Sequence, residues 1–258
     1  EKELEGVTIG AGIKLVVDPQ GVDYLTFTAD SEQTLSLSRE VETLEYSVDG
    51  SLWKELGTTV VTFGGEKGTL RLRGKSAIGT AVSKDDAALI IFGNSSVPVA
   101  ASGDIRTLVD FQKYDSDELD TSNARFCNLF FECTNLTTAP KLPAMTLASE
   151  CYWQMFVYCN GLIEAPELPA TTLTTDCYRL MFYGCKGLQI APELPATTLV
   201  PNCYLGMFYE CTNLKYAPKR LPASELTAGC YSNMFYNCKS LVNAPELPAT
   251  TLTDQCYA

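Results

Sequence analysis

The sequence predicts an α+β chain of two domains. An antiparallel β-sandwich is expected over residues 1–103 and a right-handed solenoid of about five coils over 125–258, with 104–124 as linker and N-terminal solenoid cap. Three observations carry this. The nine residues APELPATTL stand word for word at 165–173, 191–199 and 244–252, with near-copies APKLPAMTL at 139–147 and APKRLPASEL at 217–226. All 11 cysteines lie beyond residue 126. The first 103 residues have neither feature and show short alternating apolar runs instead.

Those N-terminal runs are DYLTFTA (23–29), QTLSLS (33–38), TLEYSVDG (43–50), TTVVTF (58–63), TLRLRGK (69–75) and AALIIFG (87–93). Period-two alternation turns one face of each strand inward. Asp49-Gly50, Gly64-Gly65 and Gly93-Asn94 provide the turns between them. Six or seven such strands in 103 residues predict a sandwich, Ig-like or carbohydrate-binding-like. SVDGSLW (47–53) resembles the hairpin of extracellular β-modules and a sialidase Asp-box with one residue missing, which makes it a turn and not a catalytic element. Trp53 reads as core or a brace for that hairpin, or as part of a carbohydrate patch. The loop 102–104 is the expected boundary.

In the second half CYxxMFxxC recurs, from a degenerate first copy, RFCNLFFEC, to a last one opening at Cys256-Tyr257. Its starts at 125, 151, 177, 203, 230 and 256 are 26, 26, 26, 27 and 26 residues apart. The longer step holds the extra residue of APKRLPA. A fixed period in the twenties predicts units that bury their apolar faces only against neighbours. Within a unit, Cys177, Tyr178, Met181, Phe182 and Cys185 fall at positions 0, 1, 4, 5 and 8, which predicts two helical turns with one apolar face. Thr174, Thr227 and Thr253 are the expected N-caps, and Pro201 suits a first helical turn. The stretch from Leu188 through 191–195 holds two prolines, which lack an N–H and push the preceding residue toward extended backbone. It reads as a short strand or extended arm.

The order L-x-x-A-P-x-L-P…C-Y-x-x-M-F-x-x-C-x-x-L resembles the BspA-like leucine-rich repeats of bacterial surface proteins. Phe182, Cys185 and Leu188 match the end of that motif, and the likeness covers 125–258. This chain departs from it in a longer coil and in a second cysteine where an aliphatic residue is usual. The resemblance implies a secreted or lipid-anchored protein of gut or oral Bacteroidetes type, used for surface attachment, and no enzyme. The chain opens on Glu1, as expected of a processed or trimmed form.

Two cysteine rows follow from the period: Cys151, Cys177, Cys203, Cys230 and Cys256, and Cys133, Cys159, Cys185, Cys211 and Cys238. They are expected as ladders of buried free thiols; disulfides between coils and metal binding are the alternatives. Arg125 takes the first-row position in the first copy, where its stem covers the edge and its guanidinium stays wet. At the other end an open edge is expected either to continue into more chain or to pair with another molecule.

Binding candidates lie on the outer side of each unit. Tyr183, Tyr209 and Tyr236 form a row with Phe131 and Val157, suited to sugar rings or protein hot spots, or lying flat on adjacent coils. Trp153 joins Trp53 as a further aromatic candidate. Lys141, Glu167, Glu193, Lys219 and Glu246 read as a surface charge ladder, and DSDELD (115–120) as solvated linker rather than a calcium loop. Net charge is −12, shared evenly between the halves, which argues against nucleic acid and anionic membranes as partners. With no histidine, the usual general base, protease dyads and most metal sites lack their central residue. The expectation is therefore a non-enzymatic, cofactor-free and metal-free adhesion scaffold at the cell surface, binding protein, with polysaccharide capture for nutrient uptake as the alternative.

Overall fold

The computed structural model describes residues 21–257, together with a short antiparallel pairing of Thr8–Ile9 (β1) with Ile13–Lys14 (β2). The remaining strands are Leu25–Thr28 (β3), Gln33–Leu37 (β4), Glu45–Ser47 (β5), Lys54–Glu55 (β6), Val61–Phe63 (β7), Leu70–Arg73 (β8), Ala81–Ser83 (β9), Asp86–Ala87 (β10), Ile90–Phe92 (β11), Val99–Ser102 (β12) and Leu136–Thr138 (β13). One four-residue helix, Thr107–Asp110 (α1), and one 3₁₀ turn, Gly65–Lys67, are the helical elements among the described residues. The chain is β-rich with almost no helix.

Each of the six predicted N-terminal runs holds a strand. They form a three-stranded sheet, β11-β4-β7, and three strands of a six-stranded one, β13-β12-β3-β8-β5-β6. Inward residues of both sheets share one core, where the Phe27 and Phe92 rings meet edge-on at 5.7 Å. The SVDGSLW hairpin is the expected turn: Asp49 Oδ1 accepts the N–H groups of Ser51 (2.8 Å) and Leu52 (2.9 Å), and Gly50 takes φ 78. Those hydrogen bonds hold the Asp49 carboxyl well below the usual carboxylate range. Short strands such as β6, β9 and β10 escaped the sequence pattern because two or three residues show no period.

The two-turn helix expected in every unit does not form. The segments 125–133, 151–159, 177–185, 203–211 and 230–238 are chains of tight turns instead. Every fourth residue is left-handed: Glu150, Gln154 and Tyr158 in one unit (φ 61, 53 and 57), then Asp176, Leu180 and Gly184 (φ 58, 54 and 68). Backbone hydrogen bonds divide into two sets. Cys151, Trp153, Met155, Val157 and Cys159 donate to the carbonyl three residues back, at 3.1–3.3 Å. Tyr152, Gln154, Phe156 and Tyr158 donate forward to Cys177, Arg179, Met181 and Tyr183 of the next unit, at 2.8–3.0 Å. Half the amides therefore close turns and half form a ladder between units, so no amide is left for a helix. A four-residue period produces the same buried positions, 0, 1, 4, 5 and 8, as a 3.6-residue helix does over nine residues. The carbonyls, not the hydroxyls, of Thr174, Thr227 and Thr253 receive the N–H of the following cysteine (3.2–3.3 Å), so the expected side-chain caps are absent too.

The proline arms behave as predicted. They are extended and pair through isolated parallel bridges, such as Glu164 with Ile190 and Ile190 with Tyr216. Their leucines and alanines, including Leu168, Ala170, Leu194 and Ala196, are buried. The units thus lie on one another over both halves of the 26-residue period.

The first unit is covered from further upstream than 104. β13 pairs in parallel with β12, Thr80 N–H donates to Arg125 O (2.8 Å), and Ile90 N–H to Leu129 O (2.8 Å). Ile105 of the expected cap, and Gly103 just before it, join through the backbone of Lys141, while α1 packs on Gly74, whose N–H donates to Thr107 O (2.9 Å). Arg125 does end its row, with Nε donating to Ser149 O (3.0 Å). The core runs unbroken from Leu25 to Cys256.

Candidate binding surface

The outer aromatic row is built by the turn segments. The sixth residue after Cys177, Cys203 and Cys230 turns outward, and the unit-to-unit ladder repeats it. Tyr183 and Tyr209 are half-buried and Tyr236 is 55% exposed. Val157 breaks the row by being buried at 1%, and the adjacent Tyr158 takes its place. The four rings form one strip: Tyr158 to Tyr183 at 5.2 Å, Tyr183 to Tyr209 at 5.3 Å and Tyr209 to Tyr236 at 4.6 Å. The first two pairs are tilted by 52° and 61°, the last nearly parallel at 21°. The first two pairs meet edge-first and the last face to face, and all four rings are partly exposed.

Gly184 creates the room for Tyr158. It is left-handed (φ 68), and a Cβ there would lie 2.4 Å from the Tyr158 ring. The Tyr183 hydroxyl is pushed up to about 12, first by its hydrogen bond with Tyr158 and then by desolvation. Tyr209 is raised by desolvation, then by Tyr236 and Glu210. Tyr183 and Tyr209 are therefore held as neutral phenols, and Tyr209 lies near the carboxylate of Glu210. Tyr158 was missed from sequence because it sits one position out of register with the other three.

The two tryptophans lie elsewhere. Trp153 is half-buried, with the Lys84 ammonium 5.8 Å from its ring. Trp53 is a brace: the Arg73 guanidinium stacks 4.0 Å above its ring and 4.3 Å from Phe111, and Tyr24 packs at 4.8 Å. Arg73 is itself buried and bonded to Glu45 (2.7 Å). One face of Trp53 is therefore taken by a cation and cannot receive a sugar ring.

A second outer surface, unforeseen from sequence, lies between the proline arms. A cleft of about 380 Å³ is lined by Leu168, Pro169, Ile190, Pro192 and Pro195, with Ile190 44% exposed. The charge row beside it is not a simple ladder: Lys141 pairs with Asp23 (2.8 Å), while Glu193 accepts the backbone N–H of Lys219 (3.3 Å). In 115–120, Glu118 pairs with Lys113 and Asp120 bonds Ser122, and no group of three potential metal ligands occurs among the described residues.

All eleven cysteines are free thiols, ten buried and Cys238 half-buried. The second row has a polar role. Cys159, Cys185, Cys211 and Cys238 each donate S–H to a phenylalanine carbonyl of the preceding unit (Phe130, Phe156, Phe182 and Phe208) at 2.9–3.1 Å. That carbonyl already closes a turn, so the thiol takes its second lone pair. Here lies a reason for cysteine where an aliphatic residue would pack equally well. Desolvation pushes the Cys151 and Cys203 thiols up to about 12, so they are protonated and unreactive.

No protein-family model, curated protein or solved structure matches this chain. Among the described residues no helix is long and apolar enough to cross a membrane.

Proposed function

We propose that this chain is a non-enzymatic binding scaffold of the cell surface, in which a β-sandwich leads into a right-handed leucine-rich-repeat solenoid of the BspA-like type. Its occupant is a protein on a host or bacterial surface, held at the tyrosine strip. The observation that carries this reading is the strip itself. Four partly open tyrosines, Tyr158, Tyr183, Tyr209 and Tyr236, run across four successive units on a frame pinned by inter-unit hydrogen bonds. Rigid aromatic anchors of this kind lose little side-chain entropy on binding and dominate interface energies. The net charge of −12 favours a basic or neutral partner over nucleic acid. Attachment to the outer membrane would come from a lipid anchor outside the sequence given.

Polysaccharide capture is the second reading. The strip's steps of 4.6–5.3 Å in one line suit a polymer of ring units. Binding of the purified chain to intact epithelial or bacterial cells, before and after protease or glycosidase treatment, separates the two. Protein recognition predicts loss after protease, and at least tenfold weaker binding for a Tyr183→Ala/Tyr209→Ala/Tyr236→Ala variant. Undiminished binding by that variant would exclude the strip under either reading.

A further inference from the structure

Two aromatic rows run side by side through the repeat half. One is phenylalanine throughout: Phe130, Phe156, Phe182, Phe208 and Phe235, stacked at 5.3–5.6 Å. The other is tyrosine throughout: Tyr152, Tyr178, Tyr204, Tyr231 and Tyr257, stacked at 5.6, 5.5, 5.7 and 5.7 Å. Tyr152, Tyr178 and Tyr204 are each 1% exposed and Tyr231 3%. The hydroxyls of Tyr178, Tyr204, Tyr231 and Tyr257 find no hydrogen-bonding partner in the protein, and that of Tyr152 has only the Cys151 thiol beside it. An orphaned buried hydroxyl costs about 1–3 kcal/mol. The neighbouring row demonstrates that phenylalanine stacks at the same pitch, yet the hydroxyl is present in all five copies.

The spacing resolves the contradiction. From Tyr178 onward the rings are parallel within 4–8° and step by 5.5–5.7 Å between centroids, so hydroxyls carried in register with the rings repeat at that step. That is too long for a direct O–H···O bond, which spans about 2.5–3.0 Å, and equals two of them end to end.

We propose that the tyrosine row binds a single file of water molecules, one bridging each pair of successive hydroxyls from Tyr152 to Tyr257. Each water bonds two phenols. A buried water needs about two to four polar partners. The file ends at the first unit, where the row continues as Phe126, stacked 6.2 Å from Tyr152 but without a hydroxyl. The row thus differs from its dry phenylalanine neighbour in chemistry as well as in sequence.

Tyr→Phe substitutions in the whole chain provide the test, because they keep the ring and remove only the bridge. Tyr178→Phe and Tyr204→Phe should each raise the unfolding equilibrium constant about fivefold. The double variant should cost less than the product of the two, since both hydroxyls hold the same water. Water-selective NOE transfer to the Tyr178 and Tyr204 ring protons should be present in the parent and lost locally in Tyr178→Phe. If the Cys177 thiol were the partner instead, Cys177→Ala would abolish the cost of Tyr178→Phe; the water file predicts that the cost persists. A Tyr178→Phe chain as stable as the parent, or more so, with no water transfer to these rings, overturns the proposal.

Discussion

Replacing Phe182 by alanine removes one rung from the centre of the phenylalanine stack. The ring is 0% exposed and lies between Phe156 at 5.4 Å and Phe208 at 5.6 Å, parallel within 3° and 1°. Truncating a buried phenylalanine costs about 3–5 kcal/mol, and each stacked pair adds roughly 0.5–1.5 kcal/mol beyond area burial. With a neighbour on both sides, a loss of about 5 kcal/mol is expected. Phe235 stands at the end of the same row, only partly buried, with Phe208 at 5.6 Å as its ring neighbour. Phe235→Ala should cost about half as much. Urea unfolding followed by far-UV circular dichroism and tryptophan fluorescence reads both variants, provided the two probes coincide. If Phe182→Ala cost under about 2 kcal/mol, or no more than Phe235→Ala, the units would not be stacked as described.

Gly79 tests the junction between the halves. It is left-handed (φ 74) and bridges Arg125, whose carbonyl oxygen would lie 2.3 Å from an added Cβ. Backbone cannot yield as a side chain can, so Gly79→Ala should destabilise by on the order of 2–3 kcal/mol in the same assay; a neutral result would contradict the close approach. Alkaline pH tests the buried thiols. Folding raises Cys133, Cys151 and Cys203 from 9.0 to about 12. Their contribution is whole below 9.0 and drains away as pH climbs toward 12, because only the unfolded chain can ionise them there. Stability measured from pH 8 to 11 should fall steeply, and Cys151→Ala/Cys203→Ala should shallow the slope; a flat profile would place the thiols in water.

Much of this fold was legible in the residues. The 26-residue period located every unit, and proline pairs such as Pro166/Pro169 correctly marked extended arms that pair by isolated bridges. The helices were misread for a definable reason. Cys177, Tyr178, Met181, Phe182 and Cys185 satisfy a period of 3.6 or of 4 equally well over nine residues. The residues that could have discriminated are those left-handed in every fourth place. Asn202, Gly206, Gly229, Asn233 and Asn237 are types that accept positive φ and are poor in helix interiors. Leu180 and Tyr158 sit in the same conformation without such a signal, held by the ladder between units. The outer strip was found only in part, because Tyr158 enters it from the next position along. Trp53 was invisible as a cation brace, since Arg73 is 20 residues away and the β5–β6 and β5–β8 pairings together bring them into contact.

Counting thiols in the native and unfolded chain, without reductant, addresses the stacked interior most directly. Ten of the eleven should stay unlabelled in the native chain, with slow reaction at half-buried Cys238, and all eleven should react once it is unfolded. Rapid native labelling of Cys177, Cys203 or Cys230, or fewer than eleven thiols after unfolding, would contradict an interior of dry, unbridged sulfur.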